Sequence, residues 1–303
     1  MIPKGKLLII GGDENICGQV IPDAVMRKKQ FRHLELLGYM LPKHKSNHHI
    51  EVITTSTSVS DEIKNEYTEV FHKAGYSSIG FIAILNKEEA RKEEYEKRIT
   101  EAGSILFCGS DQFCIPTIIG GTKLEDIILQ KFSTDEDFIV AGLGAGAMAV
   151  TAIILWESDT EEKVTNKILK TGAGLGLLKN CIVDTDLIKK GRFGRLAHAV
   201  IVNPADLGIG LAEDTALGIT GGTIATCYGS GTITLIDGKH ITQTNMAEAP
   251  KETPVYAENI KVHLLAHGCR FSLDERKLMP PISEKQPVDT KQILEHIFTS
   301  EGK

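Results

Sequence analysis

Five short apolar runs, each closed by glycine or small polar residues and set apart by helix-length stretches, constrain the fold of this chain more than any other feature. They are Lys6-Leu7-Leu8-Ile9-Ile10, ending in Gly11-Gly12; Glu51-Val52-Ile53-Thr54-Thr55; Ile79 to Ile84; Ser104 to Cys108, ending in Gly109-Ser110-Asp111-Gln112; and Phe138 to Ala141, which runs into Gly142 to Ala147. Such continuous runs are the pattern of strands buried on both faces. Spaced by helix-length segments, they pair in parallel through crossover helices, which predicts an α/β sheet with helices on both faces. Helices are expected near 24–38, from Ser56–Ser60 through Tyr67 and Phe71, over the charged stretch 87–101, and from Met148 to Leu155.

After residue 180 the texture changes to short β-rich pieces with Gly turns, over 217–236 and 254–265, which predicts an antiparallel C-terminal extension. Residues 272–289 carry Pro280, Pro281 and Pro287 and read as an extended arm, and Thr290 to Phe298 as a short terminal helix. No repeat or linker divides the chain. The expectation is one domain over 1–275, followed by an arm and short helix over 276–303.

Composition narrows the class of function. With 34 Lys+Arg against 40 Asp+Glu, the net charge of −6 is wrong for a protein that meets nucleic-acid phosphates without regard to sequence. No apolar stretch reaches the ~18 residues of a membrane span. The chain enters its first strand with no signal-peptide pattern, and its six cysteines (17, 108, 114, 181, 227, 269) contain no C-x-x-C pair. They read as reduced, mostly buried thiols of a cytoplasmic protein.

In open α/β sheets ligands sit beyond the carboxyl ends of the strands, which selects segments 11–15, 109–113 and 142–147. Gly142-Leu143-Gly144-Ala145-Gly146-Ala147 fits G-x-G-x-x-A, the turn that lets a backbone approach a pyrophosphate, and fits a tight strand-to-helix turn equally well. It also has the frame of the nucleophile elbow G-x-S-x-G, with glycine at the centre. Without a side chain at 144 there is no hydroxyl to attack a carbonyl.

Taken together, Gly11-Gly12-x-Glu14, Gly109-x-Asp111-Gln112, Gly142-x-Gly144-Ala145-Gly146-Ala147, and Asp184-x-Asp186 followed by Arg192-x-x-Arg195-Leu196 resemble cyanophycinase. The resemblance continues through Gly172-x-Gly174-Leu175-Gly176-Leu177, Leu207 to Thr215, Gly229-x-Gly231 and the His263 to Phe271 stretch, over roughly residues 5–275. That family comprises serine-type exopeptidases related to aspartyl dipeptidases and to the class I glutamine amidotransferase-like fold. The resemblance implies a flavodoxin-like α/β fold, a homodimer, no cofactor or metal, and cleavage of β-linked Asp-Arg dipeptides from cyanophycin. It places the family's nucleophilic serine (in G-T-S-A-G-A) at Gly144, with Gly142, Ala145 and Gly146 completing the elbow. It places the family's histidine (in D-Q-H-F) at Asp186. The three-arginine pattern is kept as Lys190, Arg192 and Arg195, and Glu14, Asp111, Gln112 and Asp184 complete the expected binding set.

A serine nucleophile needs a base within hydrogen-bond reach, and losing one member costs nearly as much as losing all. Replacement of both therefore predicts an inactive or altered homologue that binds a small Asp/Arg-type peptide or amino-acid conjugate. The alternative is an active hydrolase using a water or a loop thiol, with Ser110, Cys108 and Cys114 at hand and the Asp184/Asp186 pair for activation. Those two carboxylates, two apart at a strand end, share one face and suit ion pairing with Lys190, Arg192 and Arg195, a divalent cation, or general-base use. His198 reads as a packing or surface residue about three turns into a helix. His263 and His267 have zinc-helix spacing in a β-like stretch, and read as structural. His48-His49 reads as part of a solvated loop. Trp156 suits packing after an apolar helix, and the glycines of 172–176 and 220–231 suit turns.

Overall fold

All five apolar runs become strands, and they lie side by side. The computed structural model describes residues 2–12, 32–41, 48–55, 60–109, 111–156, 164–166 and 169–280. The main sheet contains β1 (Lys6–Gly11), β2 (His49–Thr55), β3 (Ser78–Ile84), β4 (Ser104–Cys108) and β5 (Ile139–Leu143). The remaining strands are β6 (Ile153–Leu155), β7 (Thr171–Ala173), β8 (Cys181–Thr185), β9 (Leu207–Leu211), β10 (Thr215–Thr220), β11 (Ile224–Gly229), β12 (Ile233–Asp237), β13 (Gln243–Thr244), β14 (Ala257–Glu258), β15 (Lys261–Leu265), β16 (Arg270–Ser272) and β17 (Lys277–Met279). The α-helices are α1 (Asp61–Lys73), α2 (Glu93–Glu101), α3 (Cys114–Ile119), α4 (Lys123–Thr134), α5 (Ala145–Ala149) and α6 (Phe193–Val202), with a 3-10 helix over Arg32–Met40.

The nine-stranded sheet has the order β17-β16-β11-β10-β1-β5-β4-β2-β3. β1, β5, β4, β2 and β3 pair in parallel, while β10, β11, β16 and β17 extend the β1 side antiparallel. This is the mostly parallel α/β sheet with a β-rich C-terminal part that the sequence predicts. One core, which includes Leu7, Ile9, Phe107 and Val140, packs one face, and a second, including Leu8, Ile10, Tyr67 and Phe71, packs the other. The alternation of successive residues to opposite faces explains why strands buried on both sides read as unbroken apolar runs.

Local chemistry sets the helix ends. Thr122 caps α4, its hydroxyl accepting from the Glu125 N–H at 3.4 Å, while the Glu125 carboxylate reaches back to the Gly121 N–H at 2.7 Å. This reciprocal cap contributes about 1 kcal/mol.

Four sequence expectations are corrected. The helix expected over Met148–Leu155 ends at Ala149, and Ile153–Leu155 forms β6, paired antiparallel with β7. β-Branched Thr151, Ile153 and Ile154 favour extended backbone, and Gly174 packs so tightly on Ala149 and Thr151 that a Cβ there would overlap both carbonyls. His49 is the first residue of β2 rather than part of a solvated loop: its Nε2 lies 2.9 Å from the buried Glu51 carboxylate and its Nδ1 2.7 Å from the Ser78 hydroxyl. Arg98 forks onto the same carboxylate at 2.5 and 2.9 Å, so the buried charge recruited partners that local sequence could not reveal. His198 is the sixth residue of α6, not three turns in. Cys108 is disulfide-bonded, although the six thiols were expected to be reduced; spacing alone does not report which thiols a fold brings together.

The boundary at 275 falls inside the β16–β17 hairpin. The helix expected at Thr290–Phe298, most of the 24–38 stretch, the helix start at Ser56, and residues Glu14, Cys17 and Ser110 lie outside the described residues. Among the described residues no helix is long and apolar enough to cross a membrane.

Candidate active site

The glycine run after β5 makes the turn that the elbow pattern requires. β5 lies between β1 and β4, with Gly142 opposite both Ile9 and Phe107. At its end Gly144 takes φ 55° and ψ −114°, a conformation a side-chain-bearing residue adopts only under strain, and α5 begins at the next residue. The Gly144 N–H donates to the Ile10 carbonyl at 3.0 Å, and its own carbonyl accepts from the N–H groups of Ala147 and Met148. Gly142 and Gly146 are glycine for want of room: a Cβ at 142 would overlap the Gly146 carbonyl, and one at 146 the Phe107 carbonyl. The whole run from Ile139 to Val150 is buried. These packing demands account for the glycines of the G-x-G-x-x-A pattern.

Beside the elbow, the turn after β4 carries Asp111 and Gln112. Exposed Asp111 accepts from the Phe113 N–H at 2.8 Å, and its second carboxylate oxygen lies 3.5 Å from the Cys114 thiol at the start of α3. Gln112 is buried, and its side-chain amide donates to the Leu155 carbonyl at 3.0 Å, tying this turn to β6. The Phe113 and Trp156 rings pack at a 38° tilt, 4.6 Å between centroids, and Gly172 leaves the space for Phe113. Trp156 thus follows β6, half-exposed, as part of an aromatic wall. Phe113 was not singled out from the sequence; its place directly after the Asp-Gln turn was the only available signal.

The charged residues come from a different sheet. β8 is the end strand of a sheet ordered β15-β12-β9-β8, in which it pairs with β9, and α5 packs against β8. Asp184, in β8, is fully buried and gripped by Arg195 of α6, Nε to Oδ2 at 2.9 Å and Nη2 to Oδ1 at 2.5 Å. Arg192, also buried, stands 3.6 Å from the same carboxylate and donates to the Thr185 carbonyl at 3.1 Å. Burial pushes the Asp184 pKa up, against the opposing pull of Arg195 and Arg192. Asp186 lies just past the strand, fully buried, with φ 54°. The alternation argument for a shared face therefore does not apply to the pair, because the chain leaves extended geometry between them. Lys190 pairs with Asp186, Nζ to Oδ2 at 3.4 Å, across a turn closed by the Lys190 N–H to the Asp186 carbonyl at 2.9 Å.

The structure thus gathers Asp184, Asp186, Lys190, Arg192 and Arg195 into one ion-paired cluster at the carboxyl end of β8. Gly142, Gly144, Ala145 and Gly146 sit at the end of β5, with Asp111 and Gln112 at the end of β4. Among the described residues no three His, Cys, Asp or Glu side chains gather as a metal site. His263 and His267 separate: His263 packs edge-on to Phe271, while His267 lies against Tyr39 and Tyr228 and accepts from the Gly229 N–H. Of the thiols, Cys181 and Cys227 have pKa values pushed up to about 12 by burial. Cys114 and Cys269 are partly exposed.

The profile of peptidase family S51 matches residues 24–227. Among curated proteins, the chain is 25% identical over 237 residues to the cyanophycinase of Nostoc sp. (strain PCC 7120), covering 78% of this chain and 79% of that protein. It is 25% identical over 235 residues to the cyanophycinase of Geminocystis herdmanii, covering 78% and 86%. Among solved structures, a peptidase from an acI-B1 actinobacterium superposes with a TM-score of 0.56 at 19% identity, over 89% of this chain and 97% of that one, a likeness of fold.

Proposed function

The chain belongs to peptidase family S51, and on that premise we propose that its cleft binds a small Asp/Arg-type peptide or amino-acid conjugate without cleaving it by serine attack. One observation carries this reading. The backbone at Gly144 keeps a strained elbow, φ 55° and ψ −114°, at the position where the resemblance puts the nucleophile, yet presents no side chain. At the position of the base, Asp186 is buried and paired with Lys190, which suits charge neutralisation better than taking a proton from a hydroxyl. The Asp184–Arg195 fork uses two donors of one guanidinium. Arg192 and Lys190 bring further positive charge for a ligand carboxylate.

The decisive experiment incubates the protein with cyanophycin and a panel of β-Asp and α-Asp dipeptides, with products followed by mass spectrometry and binding by calorimetry. Binding without turnover is expected. Release of a dipeptide at an ordinary enzyme rate would sink the reading.

A second reading, an active hydrolase using a water or loop thiol, draws on the partly exposed Cys114 held 3.5 Å from Asp111. It requires that Asp186→Asn or a thiol-blocking reagent abolish turnover. Homodimerisation, one domain that runs through the β16–β17 hairpin before a C-terminal arm, and a cytoplasmic location complete the proposed reading. The disulfide at Cys108 speaks against the last, and cell fractionation decides it.

A further inference from the structure

We propose that Ser78, His49 and Glu51 form a second nucleophilic site, away from the elbow, at which the Ser78 hydroxyl attacks small aryl esters of carboxylic acids.

The three side chains make a relay from solvent into the sheet. His49 and Ser78 are the first residues of β2 and β3 and stand opposite each other in that parallel pair. Opposed residues of paired strands project on one face, and Glu51, two further along β2, shares it. The Ser78 hydroxyl lies 2.7 Å from His49 Nδ1, and His49 Nε2 lies 2.9 Å from Glu51 Oε1. Ser78 is exposed, the His49 side chain is 23% exposed and that of Glu51 3%. Nucleophile, base and orienting carboxylate thus follow one another at hydrogen-bond distance, the arrangement that activates a hydroxyl.

The surroundings fix the direction of the relay. Arg98 of α2 holds the Glu51 carboxylate through Nε to Oε1 at 2.9 Å and Nη2 to Oε2 at 2.5 Å, and Nη2 also donates to the Phe81 carbonyl at 3.1 Å. A carboxylate in such a fork only accepts hydrogen bonds. The His49 proton therefore sits on Nε2, Nδ1 keeps its lone pair, and the Ser78 hydroxyl donates to it. Gly80 opposes Glu51 across the strand pair, and a Cβ there would overlap the carboxylate, so this glycine leaves the room that the carboxylate fills.

The relay is separate from the elbow. Gly144 follows the carboxyl end of β5, whereas His49 and Ser78 open their strands, which puts them at the opposite end of the same parallel sheet. The glycine at the elbow leaves this serine and histidine untouched.

The same surroundings define the substrate. Glu51 shares its charge with Arg98, so it fixes the imidazole tautomer more than it stabilises an imidazolium. The Ser78 N–H points to the His48 carbonyl at 3.5 Å rather than to a developing oxyanion. Acyl transfer then needs a leaving group that departs with little help, as the phenolate of an aryl ester does. The Ser78 oxygen bonds the acyl carbon while His49 Nδ1 takes its proton. The ester C–O bond breaks with its electron pair on the phenolate, which receives that proton. Water then attacks the acyl-serine, giving a proton to Nδ1, and the Ser78 oxygen leaves with it, releasing the carboxylic acid.

The test incubates the full chain with p-nitrophenyl acetate, reads nitrophenolate by absorbance and locates acetyl groups by peptide mass mapping. Acetyl on Ser78 and a fast phase of release are expected. Ser78→Ala should abolish the fast phase, and His49→Gln should slow acetylation of Ser78 by about 10²-fold, with far-UV spectra unchanged. Glu51 acts through His49 as a positioning residue, so Glu51→Gln should move the rise of the acetylation rate to lower pH, because an imidazolium beside Arg98 then lacks its carboxylate. An unmoved profile would overturn its place in the relay. Acetyl confined to lysines, or Ser78 acetylated equally fast in His49→Gln, overturns the site. A fast phase that survives Ser78→Ala overturns Ser78 as the nucleophile.

Discussion

The Gly144 N–H donates to the Ile10 carbonyl at 3.0 Å, so the elbow is clamped to the end of the neighbouring central strand. The turn therefore holds its conformation through backbone bonds and close packing. No nucleophile side chain is needed to maintain it, and its shape and its chemistry are separable.

That separability predicts a cost for restoring a side chain. Gly144→Ser should lower stability by about 1–3 kcal/mol, the usual cost of a non-glycine residue in a sparsely populated backbone region. Urea denaturation measures it; a variant as stable as the parent would show that the φ of 55° is relaxed.

The same variant tests the missing pair. Gly144→Ser alone should remain inactive on β-Asp-Arg, whereas Gly144→Ser with Asp186→His should gain measurable hydrolysis, because nucleophile and base act as a unit. Equal activity in the single and double variants would show that residue 186 does not reach the nucleophile.

Arg195→Ala should destabilise the protein by about 3–5 kcal/mol, because it leaves the Asp184 carboxylate buried without its fork. Asp184→Asn combined with Arg195→Met should recover much of that loss, whereas Arg195→Lys should recover only part, since an ammonium cannot grip both oxygens. Chemical denaturation of the three variants checks the order.

Acidification should act through His198. Burial holds its pKa below the ordinary value of 6.5, so the unfolded chain binds the proton first. Its contribution to stability is complete above about pH 6.5 and is lost as pH falls toward the folded-state pKa. A thermal-melt series against pH should show His198→Gln flattening that decline; an unchanged slope would count against the assignment.

Native alkylation should modify Cys114 and Cys269 well before Cys181 and Cys227. The first two are partly exposed, while burial raises the other pair's pKa to about 12 and suppresses the thiolate. Peptide mapping after brief iodoacetamide treatment reads the order directly.

Much of the first half was legible from pattern alone. Burial on both faces leaves an unbroken apolar run in the sequence, and a crossover needs a helix-length spacer, so β1 to β5 and their parallel pairing followed from local texture. The elbow was equally legible, because a backbone that passes within overlap distance of the Gly146 and Phe107 carbonyls tolerates only glycine at 142 and 146. The short β6 was not, since Met148 to Leu155 is apolar enough for either a helix or a strand, and only the packing of Gly174 on Ala149 and Thr151 decides between them.

The charged cluster marks where local pattern stops being informative. Asp184 and Asp186 looked like neighbours on one strand face, but a left-handed residue directly after β8 separates their roles: one is locked to Arg195, the other paired with Lys190. Strand composition, spacing and glycine content are local consequences of burial and backbone geometry, and the amino-acid order records them. That β8 joins β9 in a second sheet and that Arg98 finds Glu51 depend on contacts between segments far apart in the chain, which form only when the competing pairings are resolved in three dimensions.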